Sequence, residues 1–358
     1  MNAPLPWFSG RFPLYLAPMA GVSDKIFRQL CKEYGADVLT TEFVSAEGIF
    51  RRNERTREYL DFDDIERPIG VQLFGANAEH MAEAARQVVD WARPDFIDLN
   101  FGCPVNKVVA KNGGSALLKD CPTLASVAVA VVRAVAPMPV TAKIRIGWDA
   151  DSINATRIAR LLVDAGIAAI TVHGRTRAQG YTGAADWNVI GEVAAAVPIP
   201  VIGNGDLSSA ADVAKRRRET GISGAMIGRA AMSAPWIFSQ TKQYLATGEI
   251  DDSPPGSSPS RAPRPCRSAP AGSIVDPPSL SERWNLIRRH CQLAARAWGA
   301  EEPAIRSMRA RLMAYSKGFP GSKVLREKFQ HVSTLAEIDA IAQDHLQRSF
   351  EPGALIAA

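Results

Sequence analysis

Five features of this 358-residue chain are suited to chemistry: a cysteine in the run Asn100-Phe101-Gly102-Cys103-Pro104, a lysine inside an apolar run at Lys143, a histidine at His173 followed by Gly174-Arg175, and two glycine-rich runs, Gly203-Asn204-Gly205-Asp206 and Gly228-Arg229. A loop thiol with an ordinary pKa of about 8.5 is mostly protonated at neutral pH, so Cys103 suits a general acid unless it only fills a turn. A cation in the apolar run around Lys143 needs an anionic or electron-rich partner, a carboxylate, or a route to the rim. The glycine-rich runs let backbone N–H groups approach phosphate oxygens, and Arg229 adds a charge-assisted contact, although either run alone would also make a tight turn. Together they point to a phosphorylated cofactor or substrate. His173 reads equally well as a site residue and as a satisfied structural histidine.

These residues need a frame that brings them together. Apolar runs at residues 14–17, 38–41, 69–73, 96–99, 140–144, 168–172, 200–202 and 225–227 alternate with helical patterns such as 24–34, 78–92, 122–135, 155–165 and 210–219. Runs that are apolar without strict alternation imply parallel strands buried on both faces, and eight such units imply an α/β fold, the (β/α)8 TIM barrel. A doubly wound open sheet is the competing architecture, but no G-x-G-x-x-G follows the first run. In a barrel the residues just past each strand share one rim. That rim would gather Pro18, Met19 and Ala20, then Gln72, Asn100, Cys103, Lys143, Arg145, His173, Arg175, Asn204, Gly205, Asp206, Gly228 and Arg229.

A second unit follows. Residues 253–279 carry 8 of the 24 prolines and almost no aliphatic side chains, a composition that cannot bury enough apolar area to order itself. The expected organisation is a barrel at 1–247, a Pro/Ser-rich linker at 248–280, and a small all-helical domain at 281–350 with helices at 281–298, 303–315, 321–330 and 335–348. Residues 1–250 hold 27 Lys and Arg against 26 Asp and Glu, whereas residues 281–350 hold 12 against 7, so the basic character lies in the tail. Five scattered cysteines without C-x-x-C spacing argue against disulfides and zinc, and no metal site is expected. The apolar stretches fall short of the roughly 18–20 residues needed to cross a bilayer, and the N-terminus has no signal-peptide pattern; a cytoplasmic protein with no membrane association is expected.

The ordered motifs Ala17-Pro18-Met19-Ala20-Gly21-Val22-Ser23-Asp24, Asp98-Leu99-Asn100-Phe101-Gly102-Cys103-Pro104, Lys143-Ile144-Arg145, Val172-His173-Gly174-Arg175-Thr176, Gly203-Asn204-Gly205-Asp206 and Gly228-Arg229-Ala230 closely resemble those of the flavin-dependent tRNA-dihydrouridine synthases, nearest to the general bacterial type. The resemblance runs in order from about residue 14 to residue 244. It implies FMN at the barrel rim, NADPH as reductant, and tRNA as partner of an enzyme expected to act as a monomer. By the same resemblance Pro18, Met19 and Ala20 line the flavin, Gln72 and Lys143 meet its pyrimidine edge, and His173 lies alongside. Asn204, Gly205, Asp206, Gly228 and Arg229 hold the ribityl phosphate. Cys103 gives a proton to C5 of the uracil ring, Asn100 and Arg175 address the base, and Arg145 stands close by.

A uridine stacked in folded RNA must be extruded to reach such a site, and backbone contacts must offset that cost. Arg283, Arg288, Arg289, Arg306, Arg309, Arg311, Lys317, Lys323, Arg326 and Lys328 are expected to follow phosphates, although any one of them also reads as a solvated helix face. The proline-rich stretch is longer than the family's connection, and removing residues 254–271 is expected to leave flavin binding intact. Two rivals remain: a flavin oxidoreductase acting on free pyrimidines, which has no use for a basic tail, and an RNA-binding protein in which the barrel is only a scaffold.

Overall fold

The computed structural model describes residues 5–53, 56–57, 59–109, 113–247 and 278–350. The strands are β1 (Leu14–Leu16), β2 (Leu39–Thr40), β3 (Val44–Ser45), β4 (Ile69–Phe74), β5 (Phe96–Phe101), β6 (Val140–Arg145), β7 (Ala169–His173), β8 (Val201–Asn204) and β9 (Gly224–Ile227). They are all parallel, and β1 pairs with β9. At the other edge Tyr15 bridges Val38 just before β2, which closes the barrel. β2 and β3 both pair with β4, so the nine described strands make eight staves, the second interrupted between Thr40 and Val44.

Each strand is buried along nearly its whole length, as expected of a sheet covered by helices outside and filled by side chains within. Local signals start the outer helices. Asp24 accepts from the Phe27 N–H at 2.8 Å to cap helix Lys25–Glu33, and Asn77 accepts from the His80 N–H at 2.9 Å to cap Ala78–Ala92. Several elements go beyond the sequence expectation, among them the short strand β3 and the helices Ala46–Phe50, Trp187–Ala196 and Ile237–Thr247.

The C-terminal helices are Leu280–Trp298, Glu301–Tyr315, Ser322–Phe329 and Leu335–Phe350. The first is opened by a capping box in which Ser279 and Glu282 bond each other's backbone N–H groups, two residues earlier than the expected start. Trp284 is fully buried at their centre, edge-on to Phe319, Phe329 and His345.

This cluster is not closed on itself, because Leu30 from helix Lys25–Glu33 and Trp236 beyond β9 belong to the same apolar core. His290 stacks on Phe27 with centroids 6.2 Å apart, and Arg289 pairs with Glu33. The buried Arg311 lies over Phe27, donates to the Val22 carbonyl and pairs with Asp24 at 3.5 Å. The helices are thus fastened to the barrel beside its first loop. The expected linker lies almost wholly outside the described residues, as does Cys266. No described helix is long and apolar enough to cross a membrane.

Candidate active site

The inward-facing polar residues form levels. Gln72, Asp98 and Thr141 share one register across β4, β5 and β6; Asn100 and Lys143 share the next; Arg145, His173 and Asn204 share the one above, on β6, β7 and β8. Two residues per level separate these rows, so their side chains climb one interior wall towards the carboxyl ends of the strands. Above them opens a cavity of about 830 Å³, a size that holds a drug-sized or cofactor-sized molecule.

A hydrogen-bonded chain sets the floor. Thr141 Oγ1 and Gln72 Nε2 each donate to Asp98 at 2.6 Å, and Asn100 Nδ2 donates to Gln72 Oε1 at 2.8 Å. Asn100 Oδ1 then accepts the N–H groups of Gly102 and Cys103 at 3.1 and 2.9 Å. The carbonyl of Cys103 accepts from Ser115 Oγ at 2.8 Å, so this loop is pinned on both sides of its thiol. Burial pushes the Cys103 thiol up, and the Val105 N–H with Lys143 and Arg145 only partly opposes this, so it stays protonated at neutral pH.

His173 is fixed by Asn204. Asn204 Nδ2 donates to the Met226 carbonyl at 2.7 Å, which turns Asn204 Oδ1 towards His173 Nδ1, also at 2.7 Å. Nδ1 therefore carries the proton, and the buried Nε2 is an acceptor with no partner among the described residues. Burial, then Lys143 and Arg145, depress this imidazole to about 3, so it is neutral and cannot act as the acid. Lys143 is lowered to about 8, by burial first and by Arg145 second, with Asp98 and Cys103 opposing. It has no ion pair among the described residues.

The loop after β1 is built by polar contacts that sequence reasoning missed. Met19 N–H donates to Ser23 Oγ at 2.8 Å, Gly21 N–H to Glu42 Oε2 at 2.8 Å, and Arg28, paired with the buried Glu66 at 2.7 Å, donates to the Ser23 carbonyl. After β8, Gly205 has φ +127° and a Cβ there would lie 2.7 Å from Ala185 Cβ, so only glycine fits. Asp206 follows with φ 50°.

Pro18, Met19, Ala20, Gln72, Asn100, Cys103, Lys143, Arg145, His173, Asn204, Gly205, Asp206, Gly228 and Arg229 all line this one cavity. Arg175 does not. Its buried guanidinium turns into the wall, donating to the Thr182 and Gly183 carbonyls and to Asp206. Arg145 touches the cavity, but its donors bind the Gly102, Thr176 and Gly180 carbonyls and hold two loops together. The carboxylate of Asp206 is occupied by Arg175, Arg229 and the Ala185 N–H, so only its backbone N–H suits an anion.

Beyond the expected residues, three side chains at the cavity bear on its chemistry. Phe43 precedes β3, and Tyr181 lies between Arg145 and Arg229, with their Cζ atoms 5.7 and 4.9 Å from its ring centre. Lys317 arrives from the helical region. Tyr181 follows His173-Gly174-Arg175 by six residues, a spacing that could have suggested it; Lys317 was expected only as a phosphate contact of the basic tail, and nothing in the sequence places it at the cavity.

The basic tail is more occupied than its composition suggests. Arg288 pairs with Asp339, Arg306 with Glu302 and Lys328 with Asp344, Arg309 donates to the Val332 carbonyl, Arg283 donates to the Gly318 carbonyl, and Arg289 and Arg311 bind the barrel. Lys317, Lys323 and Arg326 are exposed with no side-chain partner among the described residues. No described group of His, Cys, Asp and Glu could hold a metal ion.

A closed parallel barrel with a polar cavity at the carboxyl ends of its strands is the architecture of a (β/α)8 enzyme. Residues 15–351 match the family model described as Dihydrouridine synthase (Dus), and the chain belongs to that family. It is 39% identical over 330 residues to tRNA-dihydrouridine synthase B of Xanthomonas campestris, which covers 92% of this chain and 91% of the relative. It is 37% identical over 336 residues to the protein of that name in Pseudomonas aeruginosa, covering 94% and 93%. Against the one in Pseudomonas syringae it is 44% identical over 236 residues, covering 66% and 69%.

Proposed function

We propose that the chain reduces the C5–C6 double bond of uridines in tRNA to dihydrouridine, with FMN in the cavity and NADPH as reductant. The observation that carries this is the convergence of a protonated thiol, an amide, an ammonium and an imidazole acceptor on one cavity, in a chain of the dihydrouridine synthase family.

The residues fit FMN. The unpartnered Nε2 of His173 suits a ring N–H, Lys143 suits the electron-rich pyrimidine edge that Gln72 also faces, and the backbone around Gly205, Gly228 and Arg229 suits the phosphate. When bound, FMN supplies the hydride that reaches C6 of the uracil ring. Charge then grows at C5 and the C4 carbonyl, and the Cys103 thiol gives its proton to C5. Asn100 has one Nδ2 proton left after serving Gln72, and that is its donor to the base. Arg175 acts as a prop of the wall rather than as a base contact. The barrel, residues 1–247, holds this chemistry; the helices at 281–350 grip RNA, with Lys317 at the mouth of the cavity and Lys323 and Arg326 on the exposed face. This reading makes the cytoplasm, where tRNA resides, the place of action.

The test is mass-spectrometric quantification of dihydrouridine after incubating the protein, FMN and NADPH with tRNA lacking the modification. Product in the tRNA supports the reading. No product from a yellow, NADPH-reducible protein would favour the free-pyrimidine oxidoreductase, and a protein that takes up no flavin would favour the RNA-binding scaffold.

A further inference from the structure

Asp98 touches no cavity atom, yet it is a buried carboxylate at the foot of the polar wall, one level below Asn100 and Lys143. The reading above gives it no role. We propose that Asp98 is a positioning residue that acts on the flavin site through two other side chains, fixing the sense of the Gln72 amide and supplying the negative charge that holds Lys143 protonated. This inference rests on the proposed FMN site.

The first half follows from hydrogen-bond bookkeeping. An ionised carboxylate only accepts, so Gln72 must turn its NH2 towards Asp98 and its carbonyl towards Asn100. That leaves the second Nε2 proton of Gln72 as the donor offered to the cavity. The second half follows from the charges around Lys143. Asp98 and Cys103 face it from β5 and the loop beyond, Arg145 from β6 and His173 from β7. Cys103 is a neutral thiol and His173 a neutral imidazole, while Arg145 repels, so Asp98 is the anion of this group. Around Asp98 itself stand Gln72, Thr141, Lys143 and the buried Tyr15. Burial raises the Asp98 carboxyl above its ordinary range, and the two short hydrogen bonds together with Lys143 oppose this only in part.

Asp98→Asn is nearly isosteric and can keep both bonds, its carbonyl accepting from Gln72 and its NH2 donating to Thr141 Oγ1, so it removes charge more than shape. FMN affinity of the flavin-free chain is measured by fluorescence titration between pH 7 and 9.5. In the wild type, affinity is expected to fall as Lys143 loses its proton, near pH 8. In Asp98→Asn the midpoint is expected to move down by about one pH unit, with affinity at pH 7.5 weakened several-fold. Asp98→Ser should give the same shift, and Thr141→Val, which keeps the charge, should keep the wild-type midpoint.

A wild-type midpoint in both Asp98 variants would overturn the proposal, as would a Thr141→Val variant that shifts as far as Asp98→Asn, since packing would then be the cause. A wild-type chain that takes up no FMN would remove the functional reading and this inference with it, a failure distinct from variants that bind FMN and titrate alike.

Discussion

Arg175 donates one nitrogen to both carboxylate oxygens of Asp206, at 2.9 and 2.7 Å, and so ties the end of β7 to the end of β8. Arg175 is almost wholly buried while Asp206 is about one-third exposed, so the pair stands partly in water and partly in protein. Removing the acid leaves a buried guanidinium without its counter-ion, which costs about 3 kcal/mol in such settings, less what solvent recovers on the open side. Asp206→Ala is expected to lower stability by about 2 kcal/mol in urea unfolding and to release the loop at residues 182–185. Asp206→Asn should lose less, because asparagine tolerates the left-handed backbone there. Equal stability of Asp206→Ala and wild type would show that the pair carries no load.

Cys103 is the proton donor of the proposed reaction. Cys103→Ala should cut dihydrouridine formation by about 10²- to 10⁴-fold while FMN binding and reduction by NADPH stay unchanged. Turnover near wild type would pass the role to Lys143, whose value of about 8 also suits a proton donor.

Arg311 joins the helices to the loop that lines the cavity through Val22. Arg311→Met keeps much of the stem packed on Phe27 but strands the Val22 carbonyl and frees Asp24. We expect a loss of about 3 kcal/mol in stability and a several-fold weaker FMN affinity. A variant that is less stable but binds FMN normally would mean that the loop is held well enough by Ser23, Glu42 and Arg28.

His290 sits neutral between Phe27 and Tyr315, its value depressed to about 3 by burial and by Arg311. Unfolded, it would take up a proton near pH 6.5, so the unfolded state holds more protons between about pH 6.5 and 3. Stability that is complete above pH 6.5 is therefore lost as the pH falls through this window, by about 1.4 kcal/mol per unit for each such group. His173 adds to the same slope. Urea unfolding at pH 7.5, 6.5 and 5.5 should show the decline, and His290→Gln should flatten it while lowering stability at pH 7.5. An unchanged slope in that variant would rule out His290 as a source.

Most of the frame was legible because a strand buried on both faces writes itself as an apolar run. Residues 69–73 and 140–144 were readable for that reason, with Gln72 and Lys143 conspicuous inside them. Val44 and Ser45 make too short a strand to leave a pattern, and it exists because Leu73 and Phe74 are there to pair with. Cys103, Asn100 and His173 were legible as loop and strand-end residues, whereas the direction in which Arg175 points was not. That depends on Asp206, thirty-one residues away, being brought opposite by the register of β7 and β8. The basic tail misled in the same way: composition counts charges, but only packing reveals that Arg311 is buried against the barrel and Arg288 answered by Asp339.

Leu30 and Trp236 share an apolar core with Trp284 and Leu312, so the helical region is bound to the barrel by side chains as well as by the covalent chain. The peptide between them is then dispensable for assembly. A chain cleaved once within residues 254–271 should run as two fragments under denaturing conditions yet elute as one particle in buffer. The two halves, expressed as separate polypeptides, should find each other and reconstitute the proposed flavin site.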